Sequence, residues 1–174
     1  MTSSVERTDM LFDQAVLRRA FGCFPSGVTA VCGMVDGVPQ GMAASSFTSV
    51  SLAPPLVSVC VAHTSTTWPT LAALPRIGVS VLAEGHTGEV SALASKKGDR
   101  FADVSWEAAE SGAVFVHGST LWLECEVHDQ LPAGDHDVVL LRIRSLEANP
   151  DVAPMVFHNS GFRRLLPVRP PQAA

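Results

Sequence analysis

Charged side chains are scarce in this sequence, and tyrosine is missing altogether. Only 17 % of the 174 residues are charged, whereas soluble chains usually carry about 25 %. The net charge is −5, and basic residues cluster at most in pairs, such as Lys96 with Lys97 and Arg163 with Arg164. Nucleic acid is therefore not expected as a partner, because its phosphates call for a basic surface. A rich core and a surface covered by a second subunit would each explain the low charge, and we favour the second subunit.

Long apolar runs and paired cysteines are missing as well. Apolar runs stay well short of the roughly 20 residues of a membrane span, and the N-terminal residues MTSSVERTDM lack the apolar core of a secretion signal. The four cysteines, at positions 23, 32, 60 and 125, lie far apart and form no CxxC pair. Structural zinc and a redox pair are therefore not expected, and reduced thiols indicate the cytoplasm. We predict a cytoplasmic protein that does not enter a membrane.

Short apolar segments separated by turn signals predict a mostly β fold. Strands are predicted over residues 27–35, 38–44, 55–62, 76–82, 120–128 and 138–146, and the Asp36 and Gly37 pair predicts a hairpin turn. Phe12, Val16 and Ala20 recur every four residues and predict an N-terminal helix that Asp13 caps. Two short helices are predicted over 66–74, with Thr67 as the cap, and over 87–95. About six or seven strands with only short helices indicate a closed antiparallel barrel.

The length of the chain predicts one domain, which we place at residues 11–166. Residues 1–10 are polar and residues 167–174 are rich in proline, so both ends are predicted to be flexible. A Rossmann domain is disfavoured, because the strands do not alternate with long helices and the sequence has no GxGxxG motif.

Hydrolysis and metal binding find little support in the sequence. Ser46, His136 and Asp99 could be imagined as a catalytic triad, but the GxSxG motif is missing. The six histidines do not pair at the i, i+4 spacing of helical metal ligands, so no metal site is predicted.

Two hydroxyl-rich segments offer a different kind of site. They are SSFTSVS at 45–51 and HTSTTWP at 63–69, and each follows a predicted strand. Small side chains let a flat ligand reach the backbone, whose N–H and C=O groups can pair with a heteroaromatic ring. A helix start with three hydroxyls suits a phosphate. The first segment fits a turn-rich loop as well, and the sequence hardly separates that interpretation from a ligand site. For residues 65–67 the local pattern favours an ordinary N-cap.

In these segments the sequence resembles the flavin reductase family with an FMN-binding split barrel, the small reductase components of two-component flavin-dependent monooxygenases. The matching segments recur in family order from about residue 17 to residue 165: FGCFPSGVTAV, GMAASSFTSVSLAPPLVSVCV, STTWPTL, GDRF, LWLECEV and AGDHDVVL. The resemblance implies a Greek-key split β-barrel with short flanking helices. It also implies a homodimer with the flavin near the subunit interface.

The activity implied by this resemblance is that of an NAD(P)H:flavin oxidoreductase. Such an enzyme supplies reduced FAD or FMN to a partner monooxygenase, by direct hydride transfer from nicotinamide C4 to flavin N5. NADH is favoured over NADPH, because few basic residues are present to bind a 2′-phosphate. Two alternatives remain: a split-barrel flavoprotein whose tightly bound flavin acts directly on an organic substrate, and a flavin-binding protein without catalysis.

The resemblance also implies roles for individual residues. The implied flavin-binding residues are Ala44, Ser45, Ser46, Ser51, Leu52, Cys60, Ala62, Ser65, Thr66, Thr67, Arg100 and Phe101. Residues 44–46 would line the ring and ribityl chain, 51 and 52 would continue that wall, and 60 and 62 would lie behind it. Residues 65–67 would hold the phosphate, while Arg100, as a charge partner, and its neighbour at 101 would close the site. His136 is the implied catalytic residue, on the nicotinamide side.

Three positions depart from the pattern of the family. Ser45 and Leu141 stand where the family often has asparagine and glycine, and Phe162 stands where it usually has tyrosine. These departures bear on the choice between FAD and FMN and on the depth of binding.

Overall fold

A computed structural model describes residues 13–166, and the predicted flexible ends at 1–10 and 167–174 lie outside that part of the chain. The helices and strands, in chain order, are α1 Gln14–Phe21, β1 Ser26–Gly27, β2 Thr29–Val35, β3 Val38–Ala44, β4 Thr48–Leu52, β5 Pro55–Ala62, α2 Trp68–Ala72, β6 Ile77–Val81, α3 Thr87–Ala94, β7 Trp106–Ala108, β8 Val114–Val116, β9 Leu121–Ala133, β10 His136–Ala148, β11 Val156–His158 and β12 Gly161–Arg163. The prediction of a mostly β fold with short helices is confirmed.

Seven strands form the main antiparallel sheet, in the order β3-β2-β6-β9-β10-β5-β4. Its two edge strands, β3 and β4, are consecutive in the chain and are joined by residues 45–47 alone. Such a link reaches at most about 14 Å, whereas a flat sheet of seven strands would be about 29 Å wide. The sheet must therefore curl until its edges approach. The edges are not paired with each other, so the barrel is split at this seam, and the closed barrel expected from strand count alone is wrong.

The helix cap and the hairpin turn predicted from local sequence are both present in the structure. The Asp13 side chain accepts a hydrogen bond from the backbone N–H of Ala15 at 2.7 Å and so caps α1. Asp36 and Gly37 have φ angles of 49° and 78° and make the turn between β2 and β3. Such paired positive φ angles match the twist of a two-residue hairpin.

Two short hairpins were not predicted from the sequence. They are β7 with β8, and β11 with β12, and each strand has only three residues. Strand β9 also continues five residues beyond the predicted end at 128, so the β9–β10 hairpin has two 13-residue arms. Three-residue strands carry too little alternation to be recognised, and their position depends on distant partners.

Strand β2 separates two hydrophobic cores, because its successive side chains point to opposite faces. Val31 packs with Val59, Val79 and Leu141 in the first core, which α2 closes. Its neighbours at 30 and 32 pack in the second core, beneath α3 and the segment around residue 101. The two cores thus fix the positions of β3, α2 and α3 around the split edge of the barrel.

Within the described residues, none of the helices combines the length and the apolar character needed to span a membrane. The four cysteines are free thiols. Burial raises the pKa of Cys32 and of Cys125 to about 12, so both thiols stay protonated.

Candidate functional site

A cleft of about 600 Å³ opens at the split edge of the barrel. It lies where β3 and β5 end, against the loop between β5 and α2 and the end of α3. Ten of the thirteen predicted site residues line it, namely Ala44, Ser45, Ser46, Cys60, Ala62, Ser65, Thr66, Thr67, Arg100 and His136. Residues distant in sequence are therefore brought together as the prediction required.

Ser46 forms two hydrogen bonds to β5 beside this cleft. Its Oγ accepts a hydrogen bond from the backbone N–H of Cys60 at 2.8 Å and donates to the carbonyl oxygen of the same residue at 3.2 Å. The hydroxyl thus takes the place of a further β4 residue opposite β5, just beyond the β4–β5 ladder. Thr29 acts similarly on the other side, donating to the carbonyl oxygen of Ala44 at 3.0 Å. These hydroxyls fix the backbone that lines the cleft.

The start of α2 confirms the predicted position of the cap but not its hydrogen bond. Thr67 is the N-cap residue, yet its side chain makes no cap bond, and Ser65 Oγ accepts the N–H of Trp68 at 3.2 Å instead. Pro69 follows and has no N–H to offer. A five-residue helix with a capped first turn is a weak anion site, so a phosphate here would depend on side chains rather than on the helix end.

Arg100 is the half-buried cation of the cleft. Its Nη1 donates to the carbonyl oxygen of Gly41 at 2.7 Å and to Oγ1 of Thr67 at 2.8 Å. Both N–H groups of Nη1 are thereby used, and the three on Nε and Nη2 have no partner within residues 13–166. Thr67 therefore serves to orient the guanidinium, whose remaining donors suit an anionic ligand.

Phe101 does not line this cleft and has a packing role instead. It is 6 % exposed, and its N–H donates to Oδ1 of Asp99 at 2.8 Å. A Cβ built on Gly41 would lie 2.9 Å from its ring and 2.5 Å from Sγ of Cys32. The ring therefore packs against the bare backbone of β3, and this packing positions Arg100.

Ser51 and Leu52 lie on β4, away from the residues that line the cleft. The Leu52 side chain is 96 % exposed. Their role in the wall of a binding site remains a prediction, and it requires a partner surface that one chain does not supply.

His136 begins β10, where it lies opposite Ala62 of β5, and it also lines the cleft. Its Nδ1 lies 2.7 Å from Oδ1 of Asp135. Hydrogen bonding to the imidazole and its charge lower the pKa of Asp135, which is therefore an ionised acceptor. The proton of this bond then belongs to Nδ1, which donates, and Nε2 is left for a ligand.

A hydrogen-bond chain behind the cleft was not foreseen. His63 Nε2 lies 3.0 Å from Oδ1 of Asp137, whose Oδ2 accepts from Gln130 at 2.6 Å, and Gln130 Oε1 accepts from Trp68 at 3.2 Å. These bonds, His63 first, lower the pKa of Asp137. The chain ties the loop before α2 to the β9–β10 hairpin. Only the tertiary fold reveals it, because its members are up to 74 residues apart.

Lys96 is a further lining residue that the prediction missed. Its place two residues before GDRF, in the run KKGDRF, was the available signal. The triad considered above does not form, since Ser46, Asp99 and His136 are bonded to other groups. Within residues 13–166 there is also no cluster of three metal-ligating side chains.

Residues 21–166 match the model of the flavin reductase like domain. The chain belongs to the flavin reductase family. It is 33 % identical over 157 residues to the flavin-dependent monooxygenase reductase subunit HsaB of Mycobacterium tuberculosis, covering 89 % of this chain and 84 % of that protein. It is 38 % identical over 157 residues to the actinorhodin polyketide dimerase of Streptomyces coelicolor, covering 90 % and 89 % of the two chains.

Among solved structures, this flavin reductase family member is similar to the NADH:FAD oxidoreductase SgcE6 of Streptomyces globisporus C-1027 in complex with NAD and FAD fragments. The TM-score is 0.85 at 40 % identity, over 89 % of this chain and 94 % of that one. Of the departures named above, Leu141 is fully buried in the first core. Ser45 and Phe162 instead line a small pocket of about 160 Å³ that continues from the cleft.

Proposed function

We propose that this protein is an NADH-dependent flavin reductase that supplies reduced flavin to a partner monooxygenase. The observation that carries the proposal is the cleft itself, with small neutral side chains along its length, a cation at Arg100 whose Nε and Nη2 donors have no partner within residues 13–166, and an imidazole at His136. A cleft of about 600 Å³ is of the size that holds cofactors. Membership of the family and the relatives described above support the same activity.

The cleft suits a flavin because it offers the unpaired backbone of an edge strand and small side chains. Strand β3 is an edge strand, so alternate N–H and C=O groups along it have no strand partner and can pair with the polar edge of a ring. Ala44, Ser45 and Cys60 are small enough to let a ring approach. A bound flavin supplies the hydride chemistry, NADH + H⁺ + oxidised flavin → NAD⁺ + reduced flavin, while the protein holds the two rings together.

The charges of Arg100 and Lys96, both in the lining of the cleft, favour one direction for a bound flavin. We assign the flavin phosphate to Arg100, Thr66 and Ser65, with Lys96 nearby, and the ring to the seam around Ser46. His136 then lies on the side from which nicotinamide approaches. Because Nδ1 is held by Asp135, Nε2 can accept from or donate to the nicotinamide carboxamide.

The activity is tested by following NADH absorbance at 340 nm with FAD, FMN and riboflavin, and then with NADPH in place of NADH. We expect rapid NADH oxidation that depends on added flavin, and slower use of NADPH. Absence of flavin-dependent oxidation with every flavin, in a folded protein that still binds flavin, would leave only a flavin-binding role.

The phosphate assignment is tested with Thr66→Glu, which places a carboxylate beside the phosphate. We expect FMN affinity to fall by about tenfold or more, equivalent to about 1.4 kcal/mol, with riboflavin affected much less. Thr70→Glu is the control, since Thr70 is exposed on α2 outside the cleft. Equal affinity for FMN in the Thr66→Glu and Thr70→Glu proteins would place the phosphate elsewhere.

Direct action of a bound flavin on an organic substrate is the second candidate function. The similarity to a protein named actinorhodin polyketide dimerase favours keeping it. The two functions differ in how firmly flavin is held. Colourless protein after gel filtration with fast NADH oxidation supports the reductase, whereas yellow protein with one flavin per chain supports direct action.

We also propose that the protein is a cytoplasmic homodimer. Helix α1 buries none of its residues, and Phe21 and Phe24 are 70 % and 79 % exposed. Leu52 on β4 is almost fully exposed. Exposed apolar side chains of this size mark an interface, and a second copy would also bring a surface to the otherwise unlined side of β4. Light scattering that gives a monomer at micromolar concentration would overturn the dimer.

A further inference from the structure

The loop that connects β5 to α2 is held at both of its ends. It comprises residues 64–67, all of which line the cleft, and it lies between His63 and Trp68. The side chain of His63 lies 3.0 Å from Oδ1 of Asp137. The indole of Trp68 donates to Gln130, which in turn donates to Oδ2 of the same carboxylate at 2.6 Å. Both ends of the 64–67 loop are therefore tied to a single carboxylate, one directly and one through an amide.

The hydrogen bonds of this chain have one consistent direction. An indole N–H can only donate, so Oε1 of Gln130 accepts from Trp68 and its NH₂ group points to Asp137. The lowered pKa of Asp137 keeps its carboxyl group ionised at neutral pH, and an ionised carboxylate only accepts. His63 therefore donates from Nε2. Every donor of the chain meets an acceptor, which favours one arrangement of the two loop ends.

The carboxylate lies behind the cleft, on the opposite face of β10. Successive side chains of a strand alternate between its faces. His136 lines the cleft, so its neighbour Asp137 lies on the face that carries Val139 into the first core. Trp68 belongs to the same core and is 5 % exposed. Asp137 is not among the residues that line the cleft, and it can act on a bound ligand only through the 64–67 loop.

The loop in turn orients the cation of the cleft. Oγ1 of Thr67 accepts from Nη1 of Arg100 at 2.8 Å. A displaced loop would withdraw that hydroxyl from the guanidinium, and it would withdraw Ser65 and Thr66 from the proposed phosphate. The apparent affinity for a ligand falls in proportion to the fraction of molecules whose site has the binding arrangement. Anchoring of the loop ends therefore contributes to affinity without any contact with the ligand.

We propose that Asp137 is a positioning residue for the flavin phosphate, which it serves by holding both ends of the 64–67 loop. This inference rests on the proposed flavin site, in which Ser65, Thr66 and Arg100 hold the phosphate. Because Asp137 acts through the phosphate-binding loop, its loss should weaken a flavin that carries a phosphate and spare riboflavin. A purely structural role would weaken both flavins alike.

Two substitutions of Asp137 separate its hydrogen bonds from its shape. Asp137→Leu keeps a side chain of similar shape and removes both acceptors. Asp137→Asn is the conservative variant, since its amide oxygen can accept from Gln130 and its NH₂ group can donate to Nε2 of a neutral His63. Gln130→Met breaks only the branch to Trp68 and provides a second variant should Asp137→Leu not fold. Thermal melts monitor folding in each case.

Glu126→Met is the matched control. Glu126 lies on β9 and, like Asp137, is a carboxylate that accepts from two side chains, here those of Arg76 and Arg144. It does not line the cleft. Dissociation constants for FMN and riboflavin are measured by fluorescence titration of the parent protein and of each variant, well below the melting temperature of the least stable one.

We expect Asp137→Leu to raise the dissociation constant of FMN about three- to tenfold, because the hydrogen bonds that hold the loop are lost. Riboflavin should stay within about twofold of the parent protein, and so should both flavins in Asp137→Asn. Gln130→Met should weaken FMN by a smaller factor than Asp137→Leu does. Glu126→Met should leave both affinities unchanged.

Unchanged FMN affinity in Asp137→Leu, or an equal loss for FMN and riboflavin, would overturn the proposal. A loss of FMN affinity in Glu126→Met as large as in Asp137→Leu would show a general effect of destabilisation and would overturn it as well. The parent protein separates this failure from failure of the flavin site. If the parent binds riboflavin as tightly as FMN, the phosphate site itself is refuted; if it prefers FMN while the variants match it, only the role of Asp137 is.

Discussion

Neutralising Arg100 tests the site most directly, because one guanidinium links β3, the loop before α2 and the proposed phosphate. Arg100→Met keeps the length of the side chain and removes its charge and donors. A hydrogen bond to a charged group contributes about 1.5–3 kcal/mol. The loss of one such bond to the phosphate should raise the dissociation constant of FMN about 10- to 150-fold. Riboflavin lacks the phosphate, so its dissociation constant should rise less than about threefold.

The stability of the fold must be separated from binding in this experiment. The substitution leaves the carbonyl oxygen of Gly41 and the hydroxyl of Thr67 without the donor that they have now. An unsatisfied buried group costs about 1–3 kcal/mol, and each kcal/mol lowers Tm by about 2–4 °C in a chain of this size. Titrations are therefore made well below the melting temperature of the variant.

Arg164→Met is the matched control. It removes the same charge from an exposed side chain that pairs with Glu84. Fluorescence titration of both variants with FMN and riboflavin gives four dissociation constants. An equal loss of affinity for both flavins in Arg100→Met would show that Arg100 only shapes the cleft. An equal FMN loss in both variants would show a general effect of net charge. Either result refutes the assignment of the phosphate to Arg100.

Three further predictions follow from the site and its support. His136→Ala should slow flavin reduction by NADH in stopped flow while leaving flavin affinity unchanged, and an unchanged rate would remove His136 from the mechanism. Gly41→Ala forces a Cβ against Cys32 and Phe101, so it should lower the free energy of unfolding by about 1–3 kcal/mol. Gly27→Ala is the control, because a Cβ at that position meets nothing within 4 Å. Equal melting temperatures of the two variants would contradict the packing around Gly41. The lowered pKa of Asp137 contributes stability above the unfolded pKa of about 3.9, and that contribution is lost as pH falls through the lowered value. Asp137→Asn should therefore show a smaller difference in Tm between pH 7 and pH 3, and an unchanged difference would exclude this cause.

Signals confined to neighbouring residues predicted local structure well. The Asp13 cap and the turn at Asp36 and Gly37 depend on bonds within a few residues, and both were found. Thr67 occupies the predicted N-cap of α2, but Ser65 supplies the side-chain bond to the helix, and the sequence does not decide between two residues that both carry hydroxyls. Here the deciding factor is tertiary, since Arg100, 33 residues away, takes the Thr67 hydroxyl as an acceptor. A sequence pattern does not contain that competition.

The order of strands in the sheet decides what the sequence could tell about the site. The sequence of residues 45–47 does not indicate that β3 and β4 occupy opposite edges of a seven-stranded sheet. That arrangement is what brings the ends of β3 and β5 into one cleft and places Arg100 beside Thr67. The site residues could be predicted only from the resemblance to a family, because related sequences share a fold in which these residues already lie together.

The hydroxyl groups of the seam explain why a redox site can be built from residues without redox chemistry. Ser46 replaces a missing β-ladder partner by bonding both backbone groups of Cys60, and Thr29 adds a side-chain bond to the carbonyl oxygen of Ala44, its partner in the β2–β3 ladder. Because these side chains satisfy the strand ends, the edge can remain open instead of closing into a barrel. An open edge keeps backbone donors and acceptors free for a planar ligand. The hydroxyl side chains at the seam are therefore the condition for an open, ordered edge.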